Sequence, residues 1–116
     1  MDKAKKKKVA LKGIAASPGK VMGKVRLVKA AAKVGKFNAD EIIVAAYLDP
    51  DFLTLVKKYH PNAAIITDRG GATSHIAVLA REFNIPYVAG TALATKMLKE
   101  GMTIILDGHD GTVYEI

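Results

Sequence analysis

Apolar and polar positions along the chain change period several times, and each change marks an element. Residues 9–14 read as a first strand, followed by the turn chemistry of Ser17-Pro18-Gly19. Across residues 21–29 the second half alternates as a half-buried strand does, and residues 30–38 read as a loop. Residues 42–46 are a short apolar run that fits a buried strand. Asp49 and Pro50 then open a helix, with Phe52, Leu55, Val56 and Tyr59 at i, i+3, i+4 and i+7, which His60-Pro61-Asn62 ends. Residues 63–67 make another buried strand. After Asp68-Arg69-Gly70-Gly71, a second helix sets Ile76, Leu79, Ala80 and Phe83 on one face. Asn84 suits its end because Asn tolerates positive φ. Residues 85–89 read as a strand and 91–99 as a short helix. Residues 102–106 and 112–116 form a closing hairpin around 107–111. Strands, then strand–helix alternation, then a hairpin predict one α/β domain with a mixed sheet.

Length agrees with that reading, since 116 residues support one core but not two. The domain is expected over residues 9–116, behind a basic, flexible tail at 1–8. Charge is uneven: through Lys36 there are twelve Lys or Arg against Asp2 alone, a net of +11, and from Phe37 onward six bases face ten acids, a net of −4. Five of those lysines fall in residues 3–8, where they read as a solvated face. No aromatic interleaves with the basic residues before Phe37, so a base-stacking surface is not expected and nucleic acid is not the anticipated partner. There is no cysteine, hence no disulfide or thiolate chemistry. No apolar run reaches membrane-span length, and the apolar stretch behind the tail is interrupted by Lys12. The expected setting is cytoplasmic, without membrane contact.

The candidate chemistry lies in residues 70–75, GGATSH, between a strand and a helix. A helix N-terminus offers unpaired N–H donors and a partial positive charge. Gly70 and Gly71 let the backbone approach a ligand closely. Thr73 or Ser74 can cap the helix, leaving the other hydroxyl for an oxyanion. His75 then stands as an imidazole nucleophile able to attack phosphorus, and Arg69 can add a charged hydrogen bond to phosphoryl oxygens. From spacing alone, a lone His at a helix start is more commonly a surface or capping residue. A P-loop is excluded, because G-x-x-x-x-G-K-[ST] does not occur. No metal site is expected: His60, His75 and His109 lack i, i+4 partners, and Asp68 alone is no ligand set. His109 reads as a hairpin residue and His60 as a helix-end cap.

The stretch GGATSHIAVLAREFNIPYVAG, residues 70–90, resembles the signature of the mobile phosphohistidine domain of phosphoenolpyruvate-utilising enzymes. That family includes phosphoenolpyruvate synthase, pyruvate phosphate dikinase and Enzyme I of the sugar phosphotransferase system. GIAASPGKVMGKV, residues 13–25, is similar to the domain's opening, and LKEGMTIILDGHDGTVYEI, residues 98–116, to its closing hairpin. Two departures stand out: Asn84 replaces a usual Gly, and Tyr87 a commonly small residue.

The resemblance implies a swivelling β/β/α domain in which His75 carries a phosphoryl group between two distant sites, supported by Gly70, Gly71, Thr73, Ser74 and Arg69. It implies partners that bind nucleotide and phosphoenolpyruvate or pyruvate, with ATP or phosphoenolpyruvate and Mg²⁺ at their sites and no cofactor held here. The chain would be a phosphotransferase component that is not catalytically self-sufficient. Arg81 and Glu82 could orient the loop or a partner, or form a solvent-facing ion pair. The rival readings are a binding or regulatory module that no longer transfers phosphate, and a basic nucleic-acid binder.

Overall fold

The computed structural model describes residues 8–28, 41–59 and 62–116. The tail before Lys8, the expected loop at 30–38 and the His60-Pro61 helix end lie outside the described residues. The elements are β1 (Lys8–Lys12), β2 (Ile14–Ser17), β3 (Lys20–Leu27), β4 (Glu41–Ala45), α1 (Pro50–Tyr59), β5 (Ala64–Thr67), α2 (His75–Phe83), β6 (Tyr87–Ala89), α3 (Ala94–Met97), β7 (Thr103–Asp107) and β8 (Thr112–Glu115). These strands form one mixed sheet in the order β1-β8-β7-β3-β4-β5-β6-β2. β3 to β6 run parallel to one another, and the remaining pairings are antiparallel.

β1 and β2 stand at opposite ends of that order, yet only Gly13 separates them. Successive Cα atoms are about 3.8 Å apart, so the two ends of the sheet must meet. The single strand expected at 9–14 is therefore two strands, divided at Gly13. The Gly13 N–H donates to the Gly111 carbonyl at 2.8 Å. A Cβ at Gly13 would stand 2.8 Å from Thr91 Cγ2 and 2.9 Å from Val88 Cγ1, and would collide with the Ala89 carbonyl oxygen. Only glycine fits the crossing.

Closure gives the sheet an inner and an outer face, and strand alternation distributes side chains between them. Ile42 and Val44 of β4 join an inner cluster with Leu11, Val88, Leu106 and Val113, capped by Ala94 and Leu98. Ile43 and Ala45 join an outer cluster with Ile65 and with Leu53, Val56, Ile76 and Ala80 of the two longer helices. Both crossovers, β4-α1-β5 and β5-α2-β6, step the same way across parallel strands. Right-handed connection therefore sets both helices on one face.

Local chemistry begins and ends these helices. Asp49 Oδ1 accepts the Phe52 N–H at 2.9 Å, and Pro50 fills the first helical position. The buried stripe of α1 is Phe52, Leu53 and Val56, whereas Leu55 is 41% exposed. Leu55 of the expected stripe thus faces away from the core, and the side chain of Tyr59 lies outside what the structure describes. Leu53 and Leu55 are equally apolar, so packing against the sheet, not periodicity, selects between them. α2 ends as expected, with Asn84 left-handed at φ 59°, ψ 40°. Its N–H reaches the Arg81 carbonyl at 3.3 Å while the Ile85 N–H reaches Ala80 at 2.9 Å, a Schellman ending.

Replacing Gly13 by Ala is expected to cost about 2–3 kcal/mol, because the new methyl meets backbone on one side and packed side chains on the other. Urea unfolding measures this; an unchanged midpoint would show that the sheet ends do not meet as described.

Candidate functional site

Parallel α/β sheets place ligands outside the carboxyl ends of their strands. Here the segments leaving β4, β5 and β6 gather at that end and are bolted together. Asp68 and Arg69, just after β5, donate their N–H groups to the Ala45 and Ala46 carbonyls at 3.1 and 3.0 Å. From the other side, Thr91 and Ala92 donate theirs to the carbonyls of Thr67 and Asp68 at 3.2 and 2.9 Å. Both carboxylate oxygens of Asp68 are engaged by Thr95, one by its N–H at 3.0 Å and the other by its hydroxyl. Asp68 thereby anchors α3.

On this base the chain turns upward through Gly70, whose φ of +112° falls in the region that favours glycine. A Cβ at Gly70 would stand 3.1 Å from the Tyr87 hydroxyl, whereas one at Gly71 would meet only Ile14 Cδ1 at 4.0 Å. Gly71 therefore has neither the strained φ nor the crowding of Gly70, and its missing side chain leaves open space over Ile14.

Ser74 is the N-cap of α2: its Oγ accepts the Ala77 N–H at 3.2 Å and donates to the Gly71 carbonyl at 3.0 Å. That resolves which hydroxyl caps. Thr73 is exposed, and its hydroxyl makes no hydrogen bond among the described residues. His75 is the first residue of α2 and is exposed at the helix mouth. No acidic residue lies in the first turn to neutralise the helix dipole. The backbone N–H groups of Gly70, Gly71, Ala72, Thr73 and His75 find no acceptor among the described residues. Unpaired donors in the loop that leads into an imidazole suit an anion.

Arg69 is exposed, its guanidinium 6.0 Å from the centroid of the Tyr47 ring. Arg81 has a role the sequence left open. Its Nη1 donates to the Ala72 carbonyl at 2.9 Å and to the Ala16 carbonyl at 2.7 Å, tying the loop to β2. Among the described residues it forms no ion pair with Glu82.

Sequence reasoning missed Thr67 as a site residue altogether and noticed Tyr87 only as a departure. The Tyr87 and Thr67 hydroxyls lie 2.7 Å apart in the outer core, and Thr67 Oγ1 donates to the Arg69 carbonyl at 2.6 Å. Burial raises the Tyr87 phenol above its ordinary 10.0, against a smaller lowering influence of Thr67, so it stays protonated at neutral pH. The available signal was that a buried tyrosine needs a hydroxyl partner.

His109 sits exposed in the β7–β8 hairpin, its N–H bonded to Asp107 Oδ1 at 2.9 Å, apart from the loop of His75. His60 lies outside the described residues. Among the described residues no three His, Cys, Asp or Glu side chains gather as metal ligands. No helix there is long and apolar enough to cross a membrane.

A family described as "PEP-utilising enzyme, mobile domain" matches residues 37–111. A probable phosphoenolpyruvate synthase of Archaeoglobus fulgidus is 43% identical over 108 residues, which cover 93% of this chain and 14% of that protein. The phosphoenolpyruvate synthase of Pyrococcus furiosus is 44% identical over 107 residues, covering 92% and 13%. The chain thus spans a small fraction of the curated relatives it matches. Among solved structures, an Enzyme I (nEIt) solution structure is 33% identical, with TM-score 0.52, over 63% of this chain and 29% of that one. Aconitase X of Thermococcus kodakaraensis superimposes with TM-score 0.70 at 24% identity, over 91% and 97%, a likeness of fold alone.

The two glycines of the loop are expected to respond differently to alanine. Gly70→Ala should lower stability by about 1–3 kcal/mol through φ strain and crowding against Tyr87. Gly71→Ala should stay within about 0.5 kcal/mol of the parent. Equal losses in denaturant unfolding would contradict the loop geometry.

Proposed function

Because the chain belongs to the mobile-domain family of phosphoenolpyruvate-utilising enzymes, we propose that it is a phosphoryl carrier with His75 as its nucleophile. The observation that carries this reading is the cluster of unpaired N–H donors beside the exposed imidazole. A neutral ring nitrogen attacks the donor's phosphorus; the P–N bond forms as the P–O bond breaks, and the donor oxygen leaves with its electron pair. The loop N–H groups and the positive end of α2 offset charge on the transferred phosphoryl oxygens. Thr73 supplies a hydroxyl donor, Gly71 the space for close approach and Arg69 a cation at the rim. Ser74 and Arg81 hold the loop in shape. Transfer to an acceptor is the reverse attack, by an acceptor oxygen on the same phosphorus.

This reading assigns the remaining chemistry to partner domains or proteins. Relatives several times longer than the matched segment have room for them. Sites for ATP or phosphoenolpyruvate, for pyruvate and for Mg²⁺ would lie there, and the cytoplasm is where those substrates meet. This domain's part is positioning and charge compensation around one nucleophile.

The test uses radiolabelled phosphoenolpyruvate and a related phosphoenolpyruvate synthase whose own mobile-domain histidine is replaced by alanine. The chain should gain one acid-labile, alkali-stable phosphoryl group. His75→Ala should abolish the label, while His60→Ala and His109→Ala should keep it. A label that persists without His75 would end the assignment.

A further inference from the structure

Beneath the loop lies a pair of buried hydroxyls that the phosphoryl chemistry has not used. Thr67 ends β5 and is fully buried; Tyr87 begins β6 and is 2% exposed. Ile65 is the cross-strand neighbour of Tyr87, which makes Thr67 the diagonal neighbour on the same face. The tyrosine ring can therefore lean along the sheet to bring its hydroxyl within 2.7 Å of Thr67 Oγ1.

Proton counting fixes the direction of this chain. A threonine hydroxyl has one proton, and that of Thr67 goes to the Arg69 carbonyl at 2.6 Å. The 2.7 Å contact must then be donated by Tyr87. The order is Tyr87 O–H to Thr67 O–H to the Arg69 carbonyl. That carbonyl shares its peptide with the Gly70 N–H, one of the loop donors without an acceptor among the described residues. Hydrogen bonds in series polarise one another, and a donor on a peptide oxygen makes the N–H of the same peptide a stronger donor. The Thr67 carbonyl is occupied as well, by the N–H and hydroxyl of Thr91 at 3.2 and 3.1 Å.

We infer that Tyr87 and Thr67 are positioning residues for the phosphoryl site: their hydroxyl relay fixes and polarises the Arg69–Gly70 peptide, so that the Gly70 N–H meets the phosphoryl oxygens preset. This inference rests on the carrier reading. Stability alone does not account for the pair. Replacing both hydroxyls by apolar groups of the same shape removes their mutual bond at little cost and leaves only the Arg69 carbonyl, on an exposed residue, to find another donor.

The decisive variant is the double Thr67→Val, Tyr87→Phe, which keeps both shapes and removes both hydroxyls. Its denaturation midpoint should fall only slightly, because the bond to the Arg69 carbonyl is the one lost without its partner being removed as well. In the resting protein, the Gly70 amide proton should move upfield in a ¹⁵N–¹H spectrum. Labelling of His75 by the synthase and phosphoenolpyruvate should slow about three- to tenfold, the worth of one hydrogen bond in the transition state. Thr67→Ser, which retains the relay, should behave as the parent. Ile42→Val, a core change remote from the loop, should lower the midpoint while leaving the Gly70 resonance and the labelling rate in place. The inference is overturned if the double variant keeps the parent's Gly70 resonance and rate, or if Thr67→Ser loses what Thr67→Val loses. If the parent itself takes no label, the carrier reading has failed; the Gly70 resonance then still judges the relay.

Discussion

A single residue joins the two ends of the sheet. At Gly13 the chain leaves one end of the strand order, where β1 lies antiparallel on β8, and enters the other, where β2 lies antiparallel on β6. Contact with Gly111, Val88 and Thr91 leaves no room there for a side chain. Both clusters of apolar side chains follow from that closure. The inner cluster exists because the sheet curls, and the outer one because right-handed crossovers leave both longer helices outside. The site depends on the same crossing. Residues beyond Gly13 supply Ile14 under Gly71 and the Ala16 carbonyl that receives Arg81.

The loop before α2 is held on every side except the one it presents to solvent. Backbone hydrogen bonds pin its root to the ends of β4 and β6, Arg81 pins its crest, and Ser74 closes the helix beneath it. Among the described residues, what remains unpaired in the loop is a set of N–H groups, the Thr73 hydroxyl and the imidazole of His75. Buried donors are costly to leave unpaired, but these belong to residues that are exposed or, at Gly71, half-buried. On the carrier reading, a phosphoryl group would meet donors whose ordering is already complete.

Much of this was legible in the sequence because it rests on local rules. The α2 boundaries followed from a polar cap, a period near 3.6 and an Asn able to turn left-handed, and all three involve residues within a few positions of one another. The closing hairpin and the buried parallel strands were legible for the same reason. Gly13 was not, since nothing between residues 9 and 14 announces that Ala89 and Gly111 approach from distant parts of the chain. Leu53 and Leu55 differ only in which side of a turn the sheet meets. Thr67 ended an apolar run and Tyr87 sat inside another, and their pairing depends on strand register that a linear pattern does not encode. The motif GGATSH marked the right loop, while the parts that hold the loop came from elsewhere in the fold.

On the carrier reading, one anion covalently held at His75 is met by the backbone N–H groups of residues 70–73 and 75. Comparing ¹⁵N–¹H spectra of the chain before and after phosphorylation measures this most directly. Amide protons of Gly70, Gly71, Ala72, Thr73 and His75 should move downfield together as they gain charged acceptors, while those of the His109 hairpin stay in place. A phosphorylated His75 that leaves those five resonances where they were would contradict the account.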